Sequence, residues 1–142
     1  MPGVQLFHDA KGHPPVFAGQ GSGVVRFETG RTDASYLSFV AQVPPDTAAE
    51  IRVGVFLTIG LDISAEPARP AYIRAYFTNE GGSEELNDLI VLKDGPRTVR
   101  FNLDGLRIPL DVPTEVWVHV ILAEPENVAL SLRSFDVSIE EQ

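Results

Sequence analysis

The stretch IRVGVFLTIGLDI, residues 51–63, alternates an apolar residue with another type along its whole length. Ile51, Val53, Val55, Leu57, Ile59, Leu61 and Ile63 fall on one side of an extended chain. Arg52, Gly54, Phe56, Thr58, Gly60 and Asp62 fall on the other. Successive side chains of a β-strand point to opposite faces of its sheet, so this period of two specifies a strand and not a helix. The stretch is expected to form the longest strand, with its aliphatic side in the core. Its second side is the functional question. Glycine inside a strand weakens it, and often marks a bend or the close approach of a ligand or another backbone.

The same period recurs along the chain. GVVRFETG puts Val25 and Phe27 inward and Arg26 and Glu28 outward, and SYLSFVAQV puts Leu37, Phe39, Ala41 and Val43 on one face. AYIRAYFT separates Ala71, Ile73, Ala75 and Phe77 from Tyr72, Arg74, Tyr76 and Thr78. LIVL, RTVRFNL with Val99, Phe101 and Leu103 inward, EVWVHVIL and VALSLRSFDVSIEE follow. The last shifts phase near Ser134, as a β-bulge requires. Between these runs lie turn signals: PPDTAAE, SAEPARP with two prolines, KDGP with a glycine suited to positive φ, and the extended connection IPLDVPTE. Pro67, Pro70, Pro109 and Pro113 are placed to blunt edge strands. NEGGSEELND reads as a polar loop with a helical turn at SEEL, and DTAAEI as the other short helical candidate. Residues 1–23 read as an N-terminal arm with one short strand at VQLF, GHPP and GQGSG favouring irregular structure. The expectation is all-β: an antiparallel β-sandwich of about eight strands over residues 24–142.

The formal net charge of −9 argues against nucleic acid, which needs clustered cations, and against an anionic membrane surface. With no cysteine, disulfides, thiolate catalysis and cysteine-ligated zinc are excluded. The start MPGVQLFHDAKGHPP lacks the basic and apolar regions of a signal peptide. No stretch approaches the run of about 20 apolar residues that spans a bilayer. A soluble protein of open compartment is expected.

Catalytic signatures are sparse. His8, Asp9 and His13 in HDAKGH could ligate a metal, but their spacing does not place both rings on one helix face, and a solvated arm is the simpler reading. Ser22 in GQGSGV lacks the strand–turn–helix context of a nucleophile elbow, and the glycines form no phosphate-binding motif. Glu80, Glu84, Glu85 and Asp88 cluster, but not at the spacing of a calcium loop. No catalytic residue and no metal ligand is assigned. His119 lies in mid-strand on the side of Trp117 and Ile121, opposite Val118 and Val120, either as a partnered core residue or as part of a site. If the strands carrying Arg52, Tyr72, Arg74, Tyr76, Trp117 and His119 share a sheet, their mixed sides form one surface of aromatic rings and hydrogen-bonding groups over a glycine floor. Aromatic rings stack on sugars and flat ligands, and arginine adds paired hydrogen bonds.

RTVRFNLDGL before a long connection and the closing LRSFDVSIEE strand resemble the jelly-roll domains of carbohydrate-binding modules and galactose-binding-like proteins, over roughly residues 24–140. The resemblance implies a jelly roll that binds glycans through exposed aromatics, here Tyr72, Tyr76 and Trp117. It also brings in a structural calcium, for which this sequence has no clear signature, so no cofactor is expected. The first reading is a non-catalytic binding module for a saccharide or other small polar molecule. Tyr72, Tyr76 and Trp117 would stack, and Arg52, Arg74 and His119 would orient. A second is a protein-interaction or oligomer-assembly domain, a homo-oligomer or part of a parent enzyme, using the same face. A third is a small β-barrel enzyme with His119 and a carboxylate as its acid–base pair.

Overall fold

The computed structural model describes residues 4–11, 16–21, 24–93 and 95–142. These hold ten strands: β1 (Val4–His8), β2 (Val16–Gly21), β3 (Val24–Thr29), β4 (Tyr36–Gln42), β5 (Val55–Glu66), β6 (Arg69–Asn79), β7 (Gly82–Leu92), β8 (Arg97–Asn102), β9 (Glu115–Ala123) and β10 (Val128–Glu141). A single helical turn, α1 (Pro45–Ala48), follows β4, and a 3-10 turn, Leu103–Gly105, follows β8. The strands form two five-stranded antiparallel sheets, ordered β1-β4-β9-β6-β7 and β2-β3-β10-β5-β8. The protein is a β-sandwich, as the alternation predicts.

The core lies between the sheets and is built from the alternating apolar sides. Leu57, Ile59, Leu61 and Ile63 of β5 face Ile73, Ala75 and Phe77 of β6 and Val116, Val118, Val120 and Leu122 of β9 across the sandwich, all buried. Phe27 of β3 and Phe39 of β4 make a tilted aromatic pair between the sheets, ring centroids 5.5 Å apart. Burying such a side chain is worth roughly 1.5–3 kcal/mol, enough to hold each strand to one choice of inward side. In β10 the register shifts between Leu132 and Ser134, so that Leu130 and Leu132 before it and Phe135 after it all reach the core.

Four local expectations are corrected. The 51–63 alternation is not one strand: β5 starts at Val55, and β10, with 14 residues against 12, is the longest. Ile51 is buried at the end of the α1 turn, its N–H donating to Ala48 O, whereas Val53 is 70% exposed. Gly54 adopts φ +93°, which glycine takes without penalty, and its N–H is held by Asp104 Oδ1 at 2.8 Å. The chain therefore turns where the pattern alone reads through.

NEGGSEELND is not a loop with a helical turn. From Gly82 it is β7, paired with β6 from Arg69↔Leu92 to Asn79↔Gly82. Glutamate, asparagine and aspartate are poor strand formers, but β propensity yields to context. Here Leu86 and Ile90 pack on the core and Leu92 is buried within it. Glu84 turns its carboxylate to the N–H groups of Arg107 and Ile108, at 2.6 and 3.1 Å. Gly81, in the β6–β7 turn, sits where a Cβ would come within 2.5 Å of Pro109 Cδ.

The segment read as an arm supplies two edge strands, β1 beside β4 and β2 beside β3, so GQGSG is partly extended and not wholly irregular. Asp9 ties the end of β1 to the β3–β4 connection, accepting from the Ser35 N–H at 2.7 Å, the Ser35 hydroxyl and the Tyr36 N–H at 3.4 Å. Those bonds, the Ser35 hydroxyl first, lower its pKa below the ordinary carboxyl value. His13 and Ser22 lie outside the described residues. Pro70 is not on an edge strand: it occupies the second position of β6, an inner strand, where pairing to β9 has not begun.

Candidate functional site

The two strands whose mixed sides carry most of the candidate residues are neighbours. β9 EVWVHVILA places its valines inward and Trp117, His119 and Ile121 outward, half-buried. β6 places Ala71, Ile73, Ala75 and Phe77 inward and Tyr72, Arg74 and Tyr76 outward. Their register sets Tyr72 against Ile121, Arg74 against His119 and Tyr76 against Trp117.

Continued to both edges, the register writes the outer face of this sheet as three transverse rows. The first runs Phe7, Ser38, Ile121, Tyr72, Leu89; the second Gln5, Val40, His119, Arg74, Asn87; the third Gln42, Trp117, Tyr76, Glu85. A polar middle row is thus flanked by an apolar row and a row centred on two aromatic rings. Rows are spaced by two residues, about 6.6–6.8 Å, and five strands span about 19 Å. An open cleft of about 800 Å³ lies over this face, with Phe7, Ser38, Tyr76, Trp117 and His119 among its lining residues.

The electrostatics are local and balanced. Arg74 Nε donates to Asn87 Oδ1 at 2.9 Å and lies 3.3 Å from Glu85 Oε2. Burial and the neighbouring Arg74 charge hold the His119 pKa below its ordinary 6.5, against an opposing pull from Glu85. His119 is therefore uncharged at neutral pH, one ring nitrogen a donor and the other an acceptor. No hydrogen bond joins it to a carboxylate among the described residues, and the cleft's acid, Glu85, is engaged by Arg74. Among the described residues the buried Ser38 hydroxyl, which lines the cleft, has no hydrogen-bond partner. Among the described residues no group of three or more histidines, aspartates or glutamates is arranged to hold a metal ion.

Of the six residues singled out from the sequence, Arg74, Tyr76, Trp117 and His119 line the cleft. Tyr72 stands beside it in the apolar row, 49% exposed. Arg52 is not brought to them. It precedes β5, whose sheet is the opposite one, and its guanidinium pairs with Glu141. The glycine floor goes with it: Gly60 lies on the outer face of that second sheet, between Thr98 and Asp136. The lining is completed by Ile121, by Gln5, Phe7, Tyr36, Ser38 and Val40, which the sequence does not single out, and by Glu85, which it offers only as part of an acidic cluster. Phe7 carries a signal in VQLF, an aromatic out of phase with the core-facing Val4 and Leu6; Glu85 carries no further one, because it reads as part of a loop.

No protein-family model and no curated protein matches this sequence. Solved structures do match in fold. A family 11 carbohydrate-binding module from Clostridium thermocellum, in complex with a β-1,3-1,4-mixed-linked tetrasaccharide, is 15% identical with a TM-score of 0.59, over 97% of this chain and 89% of that one. A family 4 carbohydrate-binding module is 13% identical with a TM-score of 0.57, over 89% and 78%. A family 61 module in complex with β-1,4-galactotriose is 14% identical with a TM-score of 0.53, over 98% and 88%. The chain therefore has the jelly-roll β-sandwich fold of carbohydrate-binding modules, the architecture its strand pattern resembles.

Proposed function

We infer that the protein is a non-catalytic saccharide-binding module whose ligand lies in the open cleft over β4, β9 and β6. The observation that carries this reading is the adjacency of Trp117 and Tyr76 in one row beside the polar row of His119 and Arg74. Sugar rings present apolar CH faces and a rim of hydroxyls. The aromatic row meets the first, and the imidazole, guanidinium and amide groups of the middle row meet the second. The rows run across the strands, the first two from β1 to β7 and the aromatic row from β4 to β7. A chain of several sugar units would follow them, stacked on Trp117 and Tyr76 and hydrogen-bonded to Gln5, His119 and Arg74. Two of the similar solved structures are complexes with oligosaccharides, which supports a saccharide as the ligand class.

Trp117 is the only tryptophan, so its fluorescence reports on the cleft without labelling. Titration with mixed-linkage β-glucan, β-1,4-galactan and cello-oligosaccharides should give a saturable change with at least one of them. Trp117→Ala, with its fold verified by circular dichroism, should bind that ligand at least thirtyfold more weakly, about 2 kcal/mol, the level of an anchoring aromatic. Absence of any saturable response, or a Trp117→Ala protein with undiminished affinity in affinity electrophoresis, would refute the reading.

A further inference from the structure

We propose that Glu85 is a specificity-determining residue of the cleft, restricting it to uncharged saccharides by cancelling the charge of Arg74; the inference rests on the saccharide reading above. Glu85 is on the edge strand β7, opposite Tyr76 and one row from Arg74, and it lines the same cleft. Its carboxylate is 3.3 Å from Arg74 Nε, the two side chains being 46% and 39% exposed, so both face water and ligand. Asn87 Nδ2 donates to Glu85 Oε1 at 3.5 Å, and Asn87 Oδ1 accepts from Arg74 Nε. The guanidinium is thus pinned through one nitrogen, and Nη1 and Nη2 make no hydrogen bond among the described residues.

A pinned guanidinium with two unused donors beside an imidazole is a good receptor for a carboxylate, which it can grip with two parallel hydrogen bonds. Glu85 opposes that use. A ligand carboxylate at Nη1 and Nη2 would come within several ångströms of the Glu85 carboxylate, and like charges at that range disfavour each other. A hydroxyl accepts from the same nitrogens without that repulsion. Of the residues lining the cleft, only Arg74 and Glu85 are charged at neutral pH, so the site is neutral as a whole. The overall charge of −9 adds a field that keeps polyanions away.

The test compares two probes that differ only at C6: cellohexaose and its C6-oxidised counterpart, which carries carboxylates. The protein should bind cellohexaose at least tenfold more tightly than the oxidised chain at low salt. Glu85→Gln keeps the side-chain shape and an acceptor for Arg74 while giving the cleft a net positive charge. It should raise affinity for the oxidised chain relative to cellohexaose about tenfold, a gain of about 1.4 kcal/mol that shrinks at high salt. An unchanged ratio in Glu85→Gln, or equal binding of both chains by the unaltered protein, overturns the proposal.

If the unaltered protein binds neither chain, the saccharide reading fails and this proposal with it; an NMR titration of His119 tests separately whether Glu85 sets the charge of the cleft. The titratable and charged groups facing His119 are Arg74 and Tyr76 of β6, Glu85 of β7 and Tyr36 of β4; Gln5 and Phe7 of β1 do not titrate. Glu85 raises the His119 pKa, so Glu85→Gln should lower it. An unmoved His119 titration would mean that Glu85 does not set the charge of the cleft, and would overturn the proposal.

Discussion

The outer faces of the two sheets are made from the same strand period and differ in what they carry. On the β1-β4-β9-β6-β7 face the central strands present Trp117, His119, Tyr76 and a compensated Arg74, and the open cleft lies over them. On the β2-β3-β10-β5-β8 face the central strands present short residues, Thr58, Gly60 and Ser64, overlaid by long charged ones. There Arg100 pairs with Glu140 at 3.0 Å, and Arg133 lies 3.8 Å from Asp62 and donates to Ser64 Oγ at 3.0 Å; Arg52 pairs with Glu141 where β5 begins and β10 ends. The first face leaves apolar rings half-exposed with donors beside them. The second spends its charges on its own opposite charges. A folded sheet needs one buried side; what its other side carries is free to differ.

Four measurements break or sharpen this contrast. The largest effect belongs to the core that both faces share. Phe77, fully buried directly beneath the cleft strands, should cost about 3–5 kcal/mol when replaced by alanine, read from urea denaturation. A loss below about 1 kcal/mol would mean that the cleft sheet is not held by this packing.

The next concerns His119. Its folded pKa lies below its ordinary 6.5, so the unfolded chain takes up the proton first as the pH falls. Stability should therefore decline from about pH 6.5 downward and level off below the folded value. His119→Gln should lack that component when urea midpoints are compared between pH 7.5 and 5. Identical pH curves for the two proteins would place His119 in a solvated setting and weaken the distinction between the faces.

Arg52, at the end of the second sheet, offers a sharper test. Arg52→Ala removes a pair exposed to 53% and 76%, so stability should change by less than about 1 kcal/mol and ligand affinity not at all. A clear loss of affinity would join the faces into one functional surface.

The smallest effect is expected at Ser38. Its buried hydroxyl has no partner among the described residues, so Ser38→Ala should leave the urea midpoint unchanged or raise stability slightly, by roughly 0–1 kcal/mol. A fall greater than about 1 kcal/mol would show that the hydroxyl is satisfied by ordered water in the cleft.

Much of this organisation is legible in the sequence, and the limits are instructive. The inward sides of β6, β9 and β10 follow from alternation, including the phase shift at Ser134, because burial enforces side-chain parity residue by residue. The outward side of Arg74, Tyr76, Trp117 and His119 follows in the same way, since each stands opposite an aliphatic or small-residue row. Glu85 and Asn87 are hidden because the first half of the edge strand β7, GSEELND, has a single apolar residue. Its extended conformation comes from pairing with β6 and not from its own propensities. Arg52 and Gly60 were joined to the wrong face because period two says which side a residue takes and nothing about which strand lies next to it.

The sequence by itself therefore determined the class, a β-sandwich, and the inward or outward side of most strand residues. Both depend on a local rule, the alternation of side chains along an extended backbone. Only the tertiary structure decided that β6 lies beside β9 while β5 lies in the opposite sheet, and that β1 and β7 close the cleft with Phe7 and Glu85. Those neighbours are far apart in the chain, and their pairing is selected by how the whole set of apolar sides packs between two sheets, a sum over the molecule that no single stretch contains.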